Sequence, residues 1–208
     1  MLNELIDRYP TLLPIKDNIE SVADEIIKCY ENGNKLLICG NGGSCADSDH
    51  IVGELMKGFL KKRPISDELK LKMKSNNPEI EDSILNNLQM GLPAISLPSF
   101  TALNSAFCND VDPELIYAQA LMGLGQKDDI LLCISTSGNS KNVYAAAKVG
   151  KALGLRIIGL TGATGGKLKE ISDICITAPE TETFKIQELH LPIYHYLCAK
   201  TEEHFFSE

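Results

Sequence analysis

Residues 129–140 read DILLCISTSGNS. Ile130 to Ile134 are five apolar residues in a row, with no polar alternation, and a cluster of Ser, Thr, Gly and Asn ends the run. A short apolar run closed by turn residues reads as a strand covered on both faces, followed by a loop. Lys141 to about Leu153 then has helical character. The same order occurs earlier in the chain. Residues 35–40 (KLLICG) read as a buried strand, GNGGS as a loop, and a helix is predicted from Ser44 to about Phe59.

Further buried strands are predicted at PAISLPS (93–99), RIIGLTG (156–162) and DICITA (173–178). Helical stretches stand between them at SFTALNSAF, PELIYAQALMGL and GGKLKEIS, and a long final helix from Thr183 to about Phe205 is expected to be interrupted by Pro192. Strands alternating with helices predict an α/β fold, a three-layer α/β/α sandwich around a parallel sheet. Ile15, Ile19, Val22 and Ile26 form one apolar stripe on a helix over about 14–32, ended by Gly33. Residues 60–92, rich in charge and punctuated by Pro64 and Pro78, read as a helical insertion near the surface, a solvated excursion within one domain spanning 1–208. Disorder is an alternative between Lys61 and Asn77.

The bulk numbers exclude some classes of partner. The 208 residues are 44% hydrophobic and 23% charged, with a net charge of -8. An acidic surface repels nucleic acid and anionic membranes, so neither is expected as a partner. The seven cysteines are scattered and form no CxxC pair, which fits free thiols in a reducing compartment. No leader-like segment or membrane-spanning run stands out, so a cytoplasmic location is expected.

Two loops carry chemistry. Asn41-Gly42-Gly43-Ser44 joins a strand to a helix, where free N–H groups favour an anion. Its spacing fits neither GxGxxG nor a Walker loop, which argues against a nicotinamide-dependent enzyme. Ser135, Thr136, Ser137 and Ser140 place four hydroxyls in six residues at the second strand-to-helix junction. Hydroxyls and N–H groups there suit a phosphate dianion, although a Ser/Thr helix cap would use the same residue types. His50 and Glu54, four apart on one helix, share a face and could move a proton, bind a metal, or simply hydrogen-bond at the surface. On the last helix Gln187 and His195 lie about 80° apart around the axis. Glu188 and His190 compete with them, and periodicity does not choose.

Taken together, CGNGGSCADSDHIVGEL, CND, ISTSGNSKNV and IQELHLPIYH resemble the sugar isomerase (SIS) domain family, in particular its phosphoheptose isomerase branch. The resemblance runs from about Ile19 to Glu203. It implies a five-stranded parallel sheet, flavodoxin-like, with an N-terminal helix, and a homotetramer with active sites shared between subunits. It implies aldose–ketose isomerisation of a sugar phosphate, sedoheptulose 7-phosphate to D-glycero-D-manno-heptose 7-phosphate, through an enediol. By resemblance Glu54 matches the catalytic base and His195 the acid, and His50, Glu54, Gln187 and His195 match a zinc set. Ser135, Thr136, Ser137 and Ser140 match the phosphate cradle. Asn41, Gly42, Gly43 and Ser44, with Asn109 and Asp110, match sugar hydroxyl contacts. The long segment Leu60–Gly91 and Thr183-Phe184-Lys185, where some members carry an aspartate, depart from the family pattern and bear on the choice of sugar. A phosphosugar sensor would need the loops without the acid and base, and another ketose phosphate would fit the same loops.

Overall fold

The computed structural model describes residues 1–207. The strands are β1 (Leu36–Gly40), β2 (Ala94–Ser96), β3 (Ile130–Ser135), β4 (Arg156–Thr161) and β5 (Ile174–Thr177). They form one parallel sheet in the order β2-β1-β3-β4-β5. Successive side chains alternate faces, so Leu36 and Ile38 enter one core while Leu37 and Cys39 enter the other. Burial on both faces explains why the strands are continuous apolar runs.

Helices α1 (Leu2–Arg8), α2 (Lys16–Glu31), α3 (Gly43–Met56) and α10 (Thr183–Phe206) cover the first face. Helices α7 (Ile116–Leu124), α8 (Lys141–Ala152) and α9 (Gly166–Ile171) cover the second. Between them in sequence run α4 (Asp67–Asn76), α5 (Asp82–Asn87) and α6 (Thr101–Asp110).

Three expectations about helix limits need correction. Helix α2 begins at Lys16, after a 3-10 turn at Pro10–Ile15 that has its own helix, α1, before it. Ile19, Val22 and Ile26 of its apolar stripe are buried in this chain's own core. Helix α3 stops at Met56. Helix α10 continues through Pro192, which is itself buried. The residues around it, Ile186, Ile193, Tyr194 and Leu197, are held in the core, and packing there outweighs the missing N–H.

Residues 60–92 are more than a solvated excursion. Helix α4 buries no residue, but Ile65, Leu85 and Arg63 are buried. Arg63 and Glu202 form an ion pair of 2.8 Å with both side chains at 0% exposure. The guanidinium also donates to the carbonyls of Leu55 (2.7 Å) and Glu54 (3.1 Å), in the last turn of α3. Glu202 accepts N–H bonds from Phe59, Leu60 and Lys61. Burial pushes the Glu202 carboxyl up, but the Phe59 and Leu60 N–H groups and Arg63 outweigh it and hold it below its ordinary value. This clamp ties the end of α3 to α10, the two helices that carry the candidate acid–base residues.

Candidate active site

In the order β2-β1-β3 the chain leaves β1 in one direction for β2 and later returns on its other side for β3. The gap between the carboxyl ends of β1 and β3 is therefore the point where winding reverses, the place where open parallel sheets bind ligands. Both predicted loops flank it. A cleft of about 350 Å³ there is lined by Asn41, Gly42, Gly43 and Ser44 from the first loop and by Ser135, Thr136 and Ser140 from the second. Thr183 and Gln187, from the start of α10, close it.

Local bonds preset these groups. Asn41 exchanges two side-chain hydrogen bonds with Asn142, of 2.8 and 3.0 Å, and accepts a third from the Tyr117 hydroxyl. Gly43 lets the Gln187 amide approach closely, since a Cβ would collide with it. Gly138 has φ +66°, and a Cβ there would run into the Gly165 carbonyl. Ser140 stands at the N-cap of α8, yet its hydroxyl makes no cap bond. It lies 3.0 Å from the Ser135 hydroxyl instead. Capping thus does not account for the second loop's hydroxyls. Ser137 differs: it is exposed, does not line the cleft, and accepts from the Asn139 N–H.

The second group of residues gathers along α3 and α10. His50 Nε2 is 3.1 Å from Glu54 Oε1, and Lys57 reaches the other Glu54 oxygen at 3.2 Å. The rings of His50 and His195 are 5.0 Å apart, edge to face. Burial, and then the neighbouring His50, lowers the His195 pKa and favours the neutral imidazole. His195 Nε2 is buried with no partner. Sequence reasoning missed two residues here, Tyr194 and Asp47. The Tyr194 hydroxyl meets His50 Nδ1 at 3.0 Å and donates to Asp47 Oδ1 at 3.2 Å. Asp47 stands three residues before His50 on one helical face, and that spacing was the available signal. Nothing in the sequence marked Tyr194.

Other candidates lie elsewhere. His190 is buried, and its Nε2–H donates to the Thr161 carbonyl, so it belongs to the core. Glu188 is exposed. Asn109 and Asp110 are exposed at the end of α6, do not line the cleft, and hydrogen-bond to each other.

Imidazole nitrogens and a carboxylate suit zinc, and the orphaned His195 Nε2 beside His50 and Glu54 is the kind of atom a metal would take. These three residues supply donor types that suit zinc, but among the described residues no group of three or more His, Cys, Asp or Glu side chains is placed to hold a metal ion. Gln187 sits in the cleft, eight residues from His195, about 12 Å along the helix at 1.5 Å per residue. No helix among the described residues is long and apolar enough to cross a membrane.

Comparison with known proteins gives one consistent family. Residues 11–97 and 83–162 match the SIS domain. A phosphoheptose isomerase of Aneurinibacillus thermoaerophilus is 39% identical over 188 residues, 90% of this chain and 82% of that one. Phosphoheptose isomerase 2 of Campylobacter jejuni is 38% identical over 190 residues, covering 91% and 82%. Among solved structures, a phosphoheptose isomerase from Neisseria gonorrhoeae superposes with a TM-score of 0.76 at 27% identity, covering 97% of this chain and 94% of the other. One from Francisella tularensis gives 0.75 at 29% identity, with the same coverage.

Proposed function

The chain belongs to the SIS domain family and, within it, to the phosphoheptose isomerases, and on that premise we propose that it interconverts sedoheptulose 7-phosphate and D-glycero-D-manno-heptose 7-phosphate. The observation that carries the reading is the pairing of two sites in one chain. A hydroxyl-rich cleft stands at the winding reversal, and farther along α3 and α10, the helices that border it, His50 meets the Glu54 carboxylate and the His195 ring, whose neutral form burial favours. A binding-only protein needs the cleft alone.

The cleft holds the phosphate through Ser135, Thr136 and Ser140, while the first loop and Gln187 face the sugar hydroxyls. Ser137, Asn109 and Asp110 complete the substrate contacts once ligand or a second copy is in place. Glu54 takes the proton from the hydroxyl-bearing carbon next to the ketone. His195, neutral, donates to the ketone oxygen, and the product is an enediol. A neutral histidine can polarise a carbonyl in this way. Return of the proton to the neighbouring carbon, with loss of the other hydroxyl proton, gives the aldose. Atoms and electrons balance without an oxidant.

Zinc at His50, Glu54, Gln187 and His195, when bound, would polarise the substrate oxygens. The separation of Gln187 from His195 favours a site shared between copies, for which the homotetramer implied by the family resemblance would provide. Helix α6 points the same way, because it buries no residue and leaves Leu103, Val111, Leu115 and Met122 exposed around it. Light scattering should give about four times 22.7 kDa, and a monomer would overturn the assembly. Elemental analysis should find zinc, and full activity of metal-free protein in chelator would reject a metal requirement. The setting is proposed to be cytoplasmic heptose biosynthesis. Turnover of sedoheptulose 7-phosphate to the aldose by the purified chain tests the reading, and binding without turnover would replace it with a sensor.

A further inference from the structure

Arg63 and Glu202 are both fully buried and pair at 2.8 Å. Burying an ion pair is a poor route to stability, because desolvation offsets the attraction and apolar residues of similar size commonly hold a core as well or better. What the pair supplies beyond packing is direction. A guanidinium is planar and donates along fixed lines. Its Nη1 and Nη2 reach the carbonyls of Leu55 and Glu54, at 2.7 and 3.1 Å. Helix α3 ends at Met56, so these are two of its last four carbonyls, which have no donor within the helix. Arg63 thus caps α3 at the residue that carries the candidate base.

The other half of the pair reaches the candidate acid. Glu202 stands seven residues after His195, about two turns on and on the same side of α10. Its carboxylate accepts from the N–H groups of Phe59, Leu60 and Lys61. The Phe59 ring in turn packs on the His195 ring, with centroids 5.5 Å apart. Arg63 is itself held by the closing end of the insertion: the Met90 N–H donates to its carbonyl at 2.7 Å, and Pro64 bridges to Gln89. We propose that Arg63 and Glu202 are positioning residues through which the 60–92 segment sets Glu54 against His195, a role that rests on the isomerase reading.

Arg63→Lys keeps the charge but not the planar fork, so one ammonium must choose between Glu202 and the two carbonyls. In full-length protein shown to be folded at the assay temperature by circular dichroism, kcat for sedoheptulose 7-phosphate should fall about 10²-fold, the cost of a misplacement of about 1 Å. Inhibition by inorganic phosphate should stay at its wild-type strength, because other contacts build the cleft. Glu202→Asp draws the carboxylate back from the N–H groups, should act alike, and stands in if Arg63→Lys does not fold. Ile157→Ala, fully buried in the core on the other face of the sheet, controls for lost stability alone: Tm should fall with kcat kept. A folded clamp variant with kcat within about twofold of wild type, where about 10²-fold is expected, would overturn the positioning role. Phosphate inhibition weakened in step with kcat, or an equal fall of kcat in Ile157→Ala, would overturn it too. A wild type that converts no sugar phosphate would break the reaction reading, and the rings would still decide this one. The nuclear Overhauser contact between the His50 and His195 rings, whose centroids are 5.0 Å apart, should fade in the clamp variants and persist in Ile157→Ala. A contact unchanged in the clamp variants would contradict the proposal.

Discussion

Between Asn41 and Ser140 the ligand-facing groups ride on backbone turns at the ends of β1 and β3, whereas His50, Glu54 and His195 are side chains on the flanks of α3 and α10. The first region is assembled by short local contacts: the loops meet, glycines permit the approach, and Asn142 and Tyr117 lock Asn41. The second depends on how two helices are held against each other, by the Arg63–Glu202 clamp at one end and the Tyr194 bonds in the middle. The difference teaches that anchoring and chemistry are separable here. Damage to one region should show in affinity, and damage to the other in turnover or stability.

The largest effect should come from Glu54→Gln. Turnover should fall about 10²–10⁴-fold, the usual worth of a positioned base, with sugar-phosphate affinity kept. His195→Gln should behave alike, with metal content matched to wild type in both. Near-normal turnover in Glu54→Gln would end the assignment of the base. Next, Arg63→Ala breaks a pair that is fully buried and should destabilise the fold by about 3–5 kcal/mol in denaturant titration, because Glu202 keeps its backbone N–H bonds but is left buried without a counter-charge. A loss below about 1 kcal/mol would show that the helix pair does not depend on the clamp.

A smaller effect concerns His190, which joins α10 to the Thr161 carbonyl at the end of β4. Burial depresses its pKa to about 4 from the model-compound value of 6.5. The unfolded chain therefore binds more protons between those values, and stability should rise with pH across that window. The stabilising share is present above about pH 6.5 and is lost as pH falls toward 4, on the order of 3 kcal/mol at about 1.4 kcal/mol per unit. Urea midpoints measured against pH should show this slope, and His190→Leu should flatten it. The smallest effects belong to the loop hydroxyls. Ser135→Ala and Ser140→Ala should each weaken phosphosugar binding about tenfold or more, at about 1.5–3 kcal/mol per hydrogen bond to a charged group, without changing thermal stability. Ser137→Ala tests whether an off-cleft hydroxyl turns in when ligand binds. Equal affinity loss at all three serines would mean that it does.

The sheet and its two loops were legible in the sequence because strands buried on both faces are plain apolar runs, and because Gly and Ser clusters end them. The assignment of Glu54 and His195 came from family motifs, not from periodicity. Pairings between distant residues were not legible. Arg63 and Glu202 are 139 apart, and each alone resembles a surface charge. Tyr194 carries no mark in the sequence, and Asp47 only its spacing to His50. The α2 stripe was correctly apolar, but only the fold shows that β1, α10 and their neighbours cover it. Pro192 was read by its local rule, which tertiary packing overrode.

The most direct test is to incubate the purified protein with sedoheptulose 7-phosphate in D₂O and follow the sugar by NMR and mass spectrometry. The account predicts an aldose heptose 7-phosphate carrying solvent deuterium on the carbon next to its aldehyde, with the signal abolished in Glu54→Gln. A sugar phosphate that binds but is neither converted nor labelled would contradict it, as would an aldose formed without any uptake of deuterium.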